Sequence, residues 1–264
     1  PRHGRPPADP ATSGVPTAVP RAEIVDLTDR MAEDGRLTWD VPPGTWTVVR
    51  MGYTSTGMRN APAPESGRGL ECDKLSPAGI EANFGGMLAV LAQDTGSAAG
   101  SALAATHIDS WENDSQNWTS EMREQFQRLR GYDMTPFLPA MTGRVVENVS
   151  VTERFLWDLR KTISELVVEN YARRMRELAA QQGMRFTVEA YGSPCDAIPY
   201  AGRSDEPMGE FWVGGGALET CRGMASAGHV YGKTVVGAEA FTAGDQERWQ
   251  QHPATLKALG DEAF

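Results

Sequence analysis

Three apolar runs, at residues 103–109, 185–191 and 234–241, end in or lead into polar clusters rich in acids, and helical patterning separates one run from the next. The clusters read His-Ile-Asp-Ser-Trp-Glu (107–112), Val-Glu-Ala-Tyr-Gly (188–192) and Gly-Ala-Glu-Ala-Phe-Thr (237–242). Buried strands that alternate with helices commit a chain to a parallel sheet, because parallel neighbours need a long crossover and a helix supplies it. Sites in such folds gather at the C-terminal strand ends. Three strands that each finish with a glutamate therefore converge on one mouth. No GxGxxG or GxxxxGKS fingerprint accompanies them, so the expectation is an α/β chain forming part of a (β/α)8 (TIM) barrel rather than a nucleotide crevice.

The longest element predicted is a helix over 151–182, where Phe155, Leu159, Ile163, Leu166, Val167, Tyr171 and Leu178 recur at steps of three and four. Ser150 with Glu153 fits a capping box at its start, and Gly183 fits a left-handed residue at its close. Ser76 and Pro77 open another helix, and further helices are expected over 216–230 and at the C-terminal end. Residues 1–20 hold six prolines without apolar periodicity and read as a linker or irregular crossing segment. Residues 37–53 give two β-rich runs around Pro-Pro-Gly-Thr, predicting a hairpin within a small N-terminal β element over 21–68. The partial barrel is then expected over 69–264.

The 264 residues carry a net charge of −10 with no basic run, so a phosphate backbone or anionic bilayer would be repelled, and nucleic acid is excluded as a partner. No apolar run is long enough to span a membrane, and no signal peptide is visible. Cys72, Cys195 and Cys221 lack metal-ligand or disulfide-framework spacing and read as free thiols. GxSxG and HExxH are absent, which weighs against serine and zinc hydrolysis. A neutral, hydroxyl-rich substrate suits carboxylates and aromatic rings better.

Glycosidic cleavage requires one protonated carboxyl for the leaving oxygen and one ionised carboxylate for water or the anomeric carbon. Glu112, beside Trp111, is the candidate general acid, since a tryptophan wall desolvates a neighbouring carboxyl, or else a helix-start residue or solvated loop carboxylate. Glu239, with apolar residues on both sides, is the candidate general base, or else a partner in an internal salt bridge. Glu189 stays open between catalysis, substrate contact and metal binding. Glu210, before Phe211-Trp212, is placed as a sugar or metal contact or as a packed loop residue. Asp109, Trp111, Trp118, Tyr191, Trp212 and His229 complete the set of candidate substrate contacts, with His229 also fitting a helix-end residue that meets the last carbonyls. Asp73 and Lys74 fit either a substrate clamp or a mouth-side ion pair.

Leu-Thr-Trp-Asp-Val-Pro-Pro-Gly-Thr-Trp (37–46), Arg-Met-Gly-Tyr-Thr-Ser-Thr-Gly (50–57), Gly-Leu-Glu-Cys-Asp-Lys-Leu-Ser (69–76), Arg-Gly-Tyr-Asp-Met-Thr-Pro-Phe-Leu-Pro (130–139), Gly-Glu-Phe-Trp (209–212) and Ala-Ser-Ala-Gly-His-Val-Tyr-Gly-Lys (225–233) follow one another in this chain. Together with the strand ends they resemble glycoside hydrolase family 106, from about Ala22 onward. The resemblance implies an inverting α-L-rhamnosidase on a (β/α)8 barrel with accessory β domains, a calcium ion near the sugar, and a rhamnose-containing glycoside or polysaccharide as substrate. Its general acid matches Glu112, and its base is matched to Glu239 by strand order, with Glu189 and Glu210 close by. The family's usual work on extracellular glycans implies a secreted or periplasmic protein.

The insert after Glu112 is also similar to that of clan A β-galactosidases, whose carboxylate pair sits on the fourth and seventh barrel strands. On that analogy 103–109 and 234–241 are those strands and the enzyme is retaining. A third reading is a non-catalytic carbohydrate-binding fragment in which Trp111, Trp118 and Trp212 stack on sugar. Members of the family are several times longer, so early strands and the eighth are expected to be missing here, leaving unpaired sheet edges and an inactive or poorly folded isolated chain.

Overall fold

The computed structural model describes residues 18–61, 63–112, 116–215 and 218–264. The proline-rich stretch expected as a linker lies outside these residues except for 18–20, as do residues 216–217 of the helix expected over 216–230. In chain order the α-helices are α1 (Pro77–Gly86), α2 (Leu88–Thr95), α3 (Met122–Arg130), α4 (Val149–Leu166), α5 (Arg174–Gln181), α6 (Ala197–Gly202), α7 (Leu218–Tyr231) and α8 (Pro253–Ala263). The strands are β1 (Ala105–Ile108), β2 (Arg185–Glu189), β3 (Glu206–Trp212) and β4 (Gly237–Thr242). The chain forms two compact units, one of the described residues up to Ser55 with Ser120–Thr162, the other of Thr56–Thr119 with Ile163–Phe264.

The first unit is organised by aromatic rings. Phe126 of α3, Tyr132, Phe137 and Phe155 of α4 meet pairwise with centroids 5.0–5.8 Å apart, the offset and edge-on geometries that ring quadrupoles favour. Gly131, at φ 82°, closes α3 and turns the chain so that Tyr132 can donate to Asp158 at 2.8 Å. The start of α4 differs from expectation. Asn148, not Ser150, caps it, its Oδ1 accepting from Val151 N at 2.9 Å, because the chain turns one step earlier, at Glu147 (φ 61°). The hairpin predicted over 37–53 does not form: among the described residues that region contributes only an isolated antiparallel bridge between Met31 and Leu37. Trp39 meets Trp46 edge-on at 5.1 Å, and Trp46 Nε1 donates to the Pro42 carbonyl at 2.9 Å, across the Pro42-Pro43 turn that can offer no backbone donors. The small N-terminal β element is therefore an irregular segment, consistent with the marginal stability of an isolated two-stranded ribbon.

The second unit holds one parallel sheet in the order β1-β2-β3-β4. Each strand lies beside its predecessor in sequence, as around an arc of a barrel, and among the described residues no strand reverses the order as a doubly wound sheet requires. Strands at 103–109, 185–191 and 234–241 were expected, and β3 was not. Its sequence, Glu-Pro-Met-Gly-Glu-Phe-Trp, hides behind Pro207 and Gly209. Gly209 is there because α7 lies against it: a Cβ at this position would come within 2.7 Å of the Cys221 Cα.

The helical run after α4 continues through a π-helical turn, Val167–Arg173, into α5. Phe155, Leu159, Ile163, Leu166 and Val167 are buried as expected, but beyond them the buried positions are Val168, Ala172, Met175 and Ala179, one residue on from the expected Tyr171 and Leu178. The π turn adds one residue to the ring of hydrogen bonds and rotates the stripe accordingly. Gly183, at φ 73°, ends the run as predicted, with Gly183 N bonding Ala180 O and Met184 N bonding Ala179 O, both at 3.0 Å. Replacing Gly209 by alanine is expected to push α7 off β3 and cost about 1–3 kcal/mol of stability; chemical denaturation of the variant beside the native chain measures it.

Candidate active site

The C-terminal ends of the four strands bring Asp109, Glu189, Glu210 and Glu239 to one edge of the sheet, with Glu210 and Glu239 directly paired in register. Glu189 is 2% exposed although it is a carboxylic acid. Tyr191 Oη lies 2.5 Å from Glu189 Oε2 and 2.6 Å from Glu210 Oε2, tying β2 to β3. Trp212 Nε1 donates to Glu210 Oε1, and Thr242 Oγ1 donates to Glu239 Oε1 at 2.5 Å. Burial lifts the Glu189 carboxyl from its ordinary 4.5 to about 7, against the pull of the Tyr191 bond and with a further push from Asp109 and Glu239. Burial likewise drives the Tyr191 phenol well above its usual range, reinforced by its two carboxyl neighbours.

His107, which the sequence reading passed over, belongs here. Its Nδ1 is 2.8 Å from Thr187 Oγ1 on the neighbouring strand, and desolvation lowers its pKa despite the opposing charges of Asp109 and Glu239. Ligand atoms of His107, Asp109 and Glu189 all lie within 4.8 Å of one another. The signal was available: Asp109, just past the end of β1, is two residues on from His107, so an extended chain puts both on one face.

Glu112 follows β1 and is exposed, with Ser110 Oγ donating to its Oε1. The tryptophan expected to desolvate it is engaged elsewhere. Trp111 meets Tyr171 of the π turn edge-on at 6.3 Å, and Lys74 Nζ sits over its ring at 5.5 Å while ion-pairing with Glu71. Asp73 makes no ion pair among the described residues: it accepts from Leu75 N, Gln116 Nε2 and Thr119 Oγ1, so it anchors the loop that carries Trp118, whose carbonyl also accepts from Gln116. His229 stands exposed in the last turn of α7, which feeds the start of β4, the opposite end of the strands from the carboxylates. Tyr191 and Trp212 contact glutamates directly and hold them in place.

Residues 7–264 match the family model described as Glyco_hydro_106, alpha-L-rhamnosidase. Over 258 residues the chain is 38% identical to a Formosa agariphila protein named "Putative beta-glucuronidase", covering 97% of this chain and 22% of that protein. It superposes with TM-score 0.82 and 28% identity on the structure of a rhamnosidase from Novosphingobium sp. PP1Y, covering 93% of this chain and 25% of that one. The chain thus spans about a quarter of the length of these relatives.

Because Glu189 binds more protons folded than unfolded between about pH 4.5 and 7, its burial costs stability progressively as pH rises through that window. With divalent cations removed, Glu189→Gln is expected to raise the melting temperature at pH 8 and leave it nearly unchanged at pH 4. The gain is at most on the order of 3 kcal/mol; calorimetry at the two pH values reads it.

Proposed function

The chain belongs to glycoside hydrolase family 106, and from that premise we propose that it is the catalytic-core segment of an inverting α-L-rhamnosidase. The observation that carries the reading is the convergence of glutamates from β2, β3 and β4 at one sheet edge, each with its carboxyl bonded to a neighbouring donor. In this reading Glu112, exposed past β1, gives its proton to the glycosidic oxygen, and Glu239 on β4 takes one from a water that attacks the anomeric carbon from the opposite face. The extra strand β3 puts β1 and β4 three strands apart, the interval between a fourth and a seventh strand, which supports a barrel whose remaining strands belong to the longer protein.

A neutral 6-deoxy sugar fits this edge better than a β-glucuronide. A uronate would add another carboxylate to the acids already gathered there, and like charges at short range in a partly desolvated site repel strongly. Calcium takes oxygen ligands, and Asp109 with Glu189 offers such a pair. His107 is a nitrogen donor less suited to a hard cation and is already engaged by Thr187. When bound there, calcium would supply a positive centre able to accept sugar hydroxyl oxygens. Asp109 and Glu189 would hold it.

The decisive measurement is hydrolysis of an aryl α-L-rhamnoside by the complete parent protein, with and without calcium. Glu112→Gln and Glu239→Gln are each expected to lower turnover roughly a hundred- to ten-thousandfold, with the product anomer inverted at early times. A retained anomer would move the assignment to a clan A type mechanism, and cleavage of a β-glucuronide with rhamnosides left intact would overturn the substrate.

A further inference from the structure

Glu189, Glu210 and Glu239 each accept a hydrogen bond from a residue shortly after them in sequence, but the spacing differs. Tyr191 and Trp212 are each two residues on from their glutamates; on β3 the period of the strand sets Trp212 on the face of Glu210, while Tyr191 lies just beyond the end of β2. Thr242 is three residues on from Glu239, and in an uninterrupted strand that spacing would point it to the other face of the sheet. The register explains how it returns. Ala240 opposes Phe211 and Thr242 opposes Trp212, so Phe241 is an inserted residue, a β-bulge at the strand end. Its φ is 59°, a left-handed conformation that glycine takes freely and phenylalanine does not.

Two contacts hold it there. The Phe241 ring meets Phe211 edge-on at 4.9 Å, and its tip lies so close to Gly260 of α8 that a Cβ at that glycine would come within 3.2 Å of Phe241 Cζ. Beyond the bulge the ladder resumes, with Val213 N donating to the Thr242 carbonyl at 2.9 Å. With Phe241 taken out of the count, Thr242 stands to Glu239 as Trp212 stands to Glu210, and its hydroxyl reaches Oε1 at 2.5 Å.

We propose that Thr242, brought round by the left-handed bulge at Phe241, is a positioning residue that fixes the carboxylate of Glu239; this rests on Glu239 being the general base. The terminal torsion of a glutamate is broad, unlike its staggered inner torsions. Anchoring Oε1 through Thr242 stops that rotation and leaves Oε2 to present to the attacking water. Misplacing such a group by a fraction of an ångström loses alignment in the transition state without loosening ground-state binding of the sugar.

The test uses the parent protein and an aryl α-L-rhamnoside, comparing Thr242→Val, Thr242→Ala, Thr242→Ser, Glu239→Gln and the Thr242→Val/Glu239→Gln double variant. Either hydroxyl-free variant whose melting temperature matches the native protein is expected to lose roughly ten- to a hundredfold in kcat, with KM within about twofold. Serine, which keeps the hydroxyl, restores most of that loss. Thr242→Val adds no further loss once Glu239 is glutamine, because the residue it positions is already gone. Native activity in Thr242→Val and Thr242→Ala beside an inactive Glu239→Gln overturns this inference alone, as does full additivity in the double variant. Full activity in Glu239→Gln overturns the base assignment and this inference with it.

Discussion

A single phenolic proton stands between two carboxyl groups, and much of the site follows from that. Tyr191 can donate to Glu189 or to Glu210, not to both, yet it lies within 2.6 Å of each. Two ionised carboxyls here would crowd one hydroxyl with like charge. Glu189 is buried where Glu210 is only half-buried, and burial has lifted the Glu189 pKa to about 7. Burial of Glu189, acting against the Tyr191 bond, thus weakens the charge of the cluster, while Tyr191 keeps β2 and β3 in fixed relation. A parallel sheet that sends an acid from every strand to the same end brings the charges together regardless of their repulsion, and burying one of them offsets part of it.

Around this edge the sheet relies on close approach. Gly209 lets α7 lie on β3, and Gly260 admits the ring of Phe241. The π turn at Val167–Arg173 carries Tyr171 out of the buried stripe that regular periodicity would give it and sets it edge-on to Trp111. Tyr171 in turn stacks on Tyr200 at 6.4 Å. The residue before Glu112 is thereby gripped by an aromatic column and by Lys74, while Glu112 itself stays exposed. The tryptophan beside the acid anchors its loop instead of forming a wall over it.

The family was legible in the chain, because ordered motifs do not depend on how distant parts meet. Three strands, the long helix, its closing glycine and the free thiols were legible for a similar reason: local periodicity and local backbone preference dictate them. Glu189, Glu210 and Glu239 could be singled out as candidates from the residues beside them. Their partners could be named, as Tyr191 and Trp212 were, but not given their roles, since a hydrogen bond across strands is invisible until the register is known.

What the sequence determined by itself is the parallel α/β rhythm and the set of carboxylates at its strand ends, both consequences of short-range patterning. Tertiary structure alone decided that Glu-Pro-Met-Gly-Glu-Phe-Trp is a strand, that residues 37–53 are not a hairpin, that His229 lies at the far end from the carboxylates, and that Thr242 faces Glu239. Each of these turns on contacts between residues remote in sequence. α7 makes a strand of a segment with poor strand propensity, the first unit gives residues 37–53 no sheet to join, and one left-handed residue reverses the face on which everything after it points.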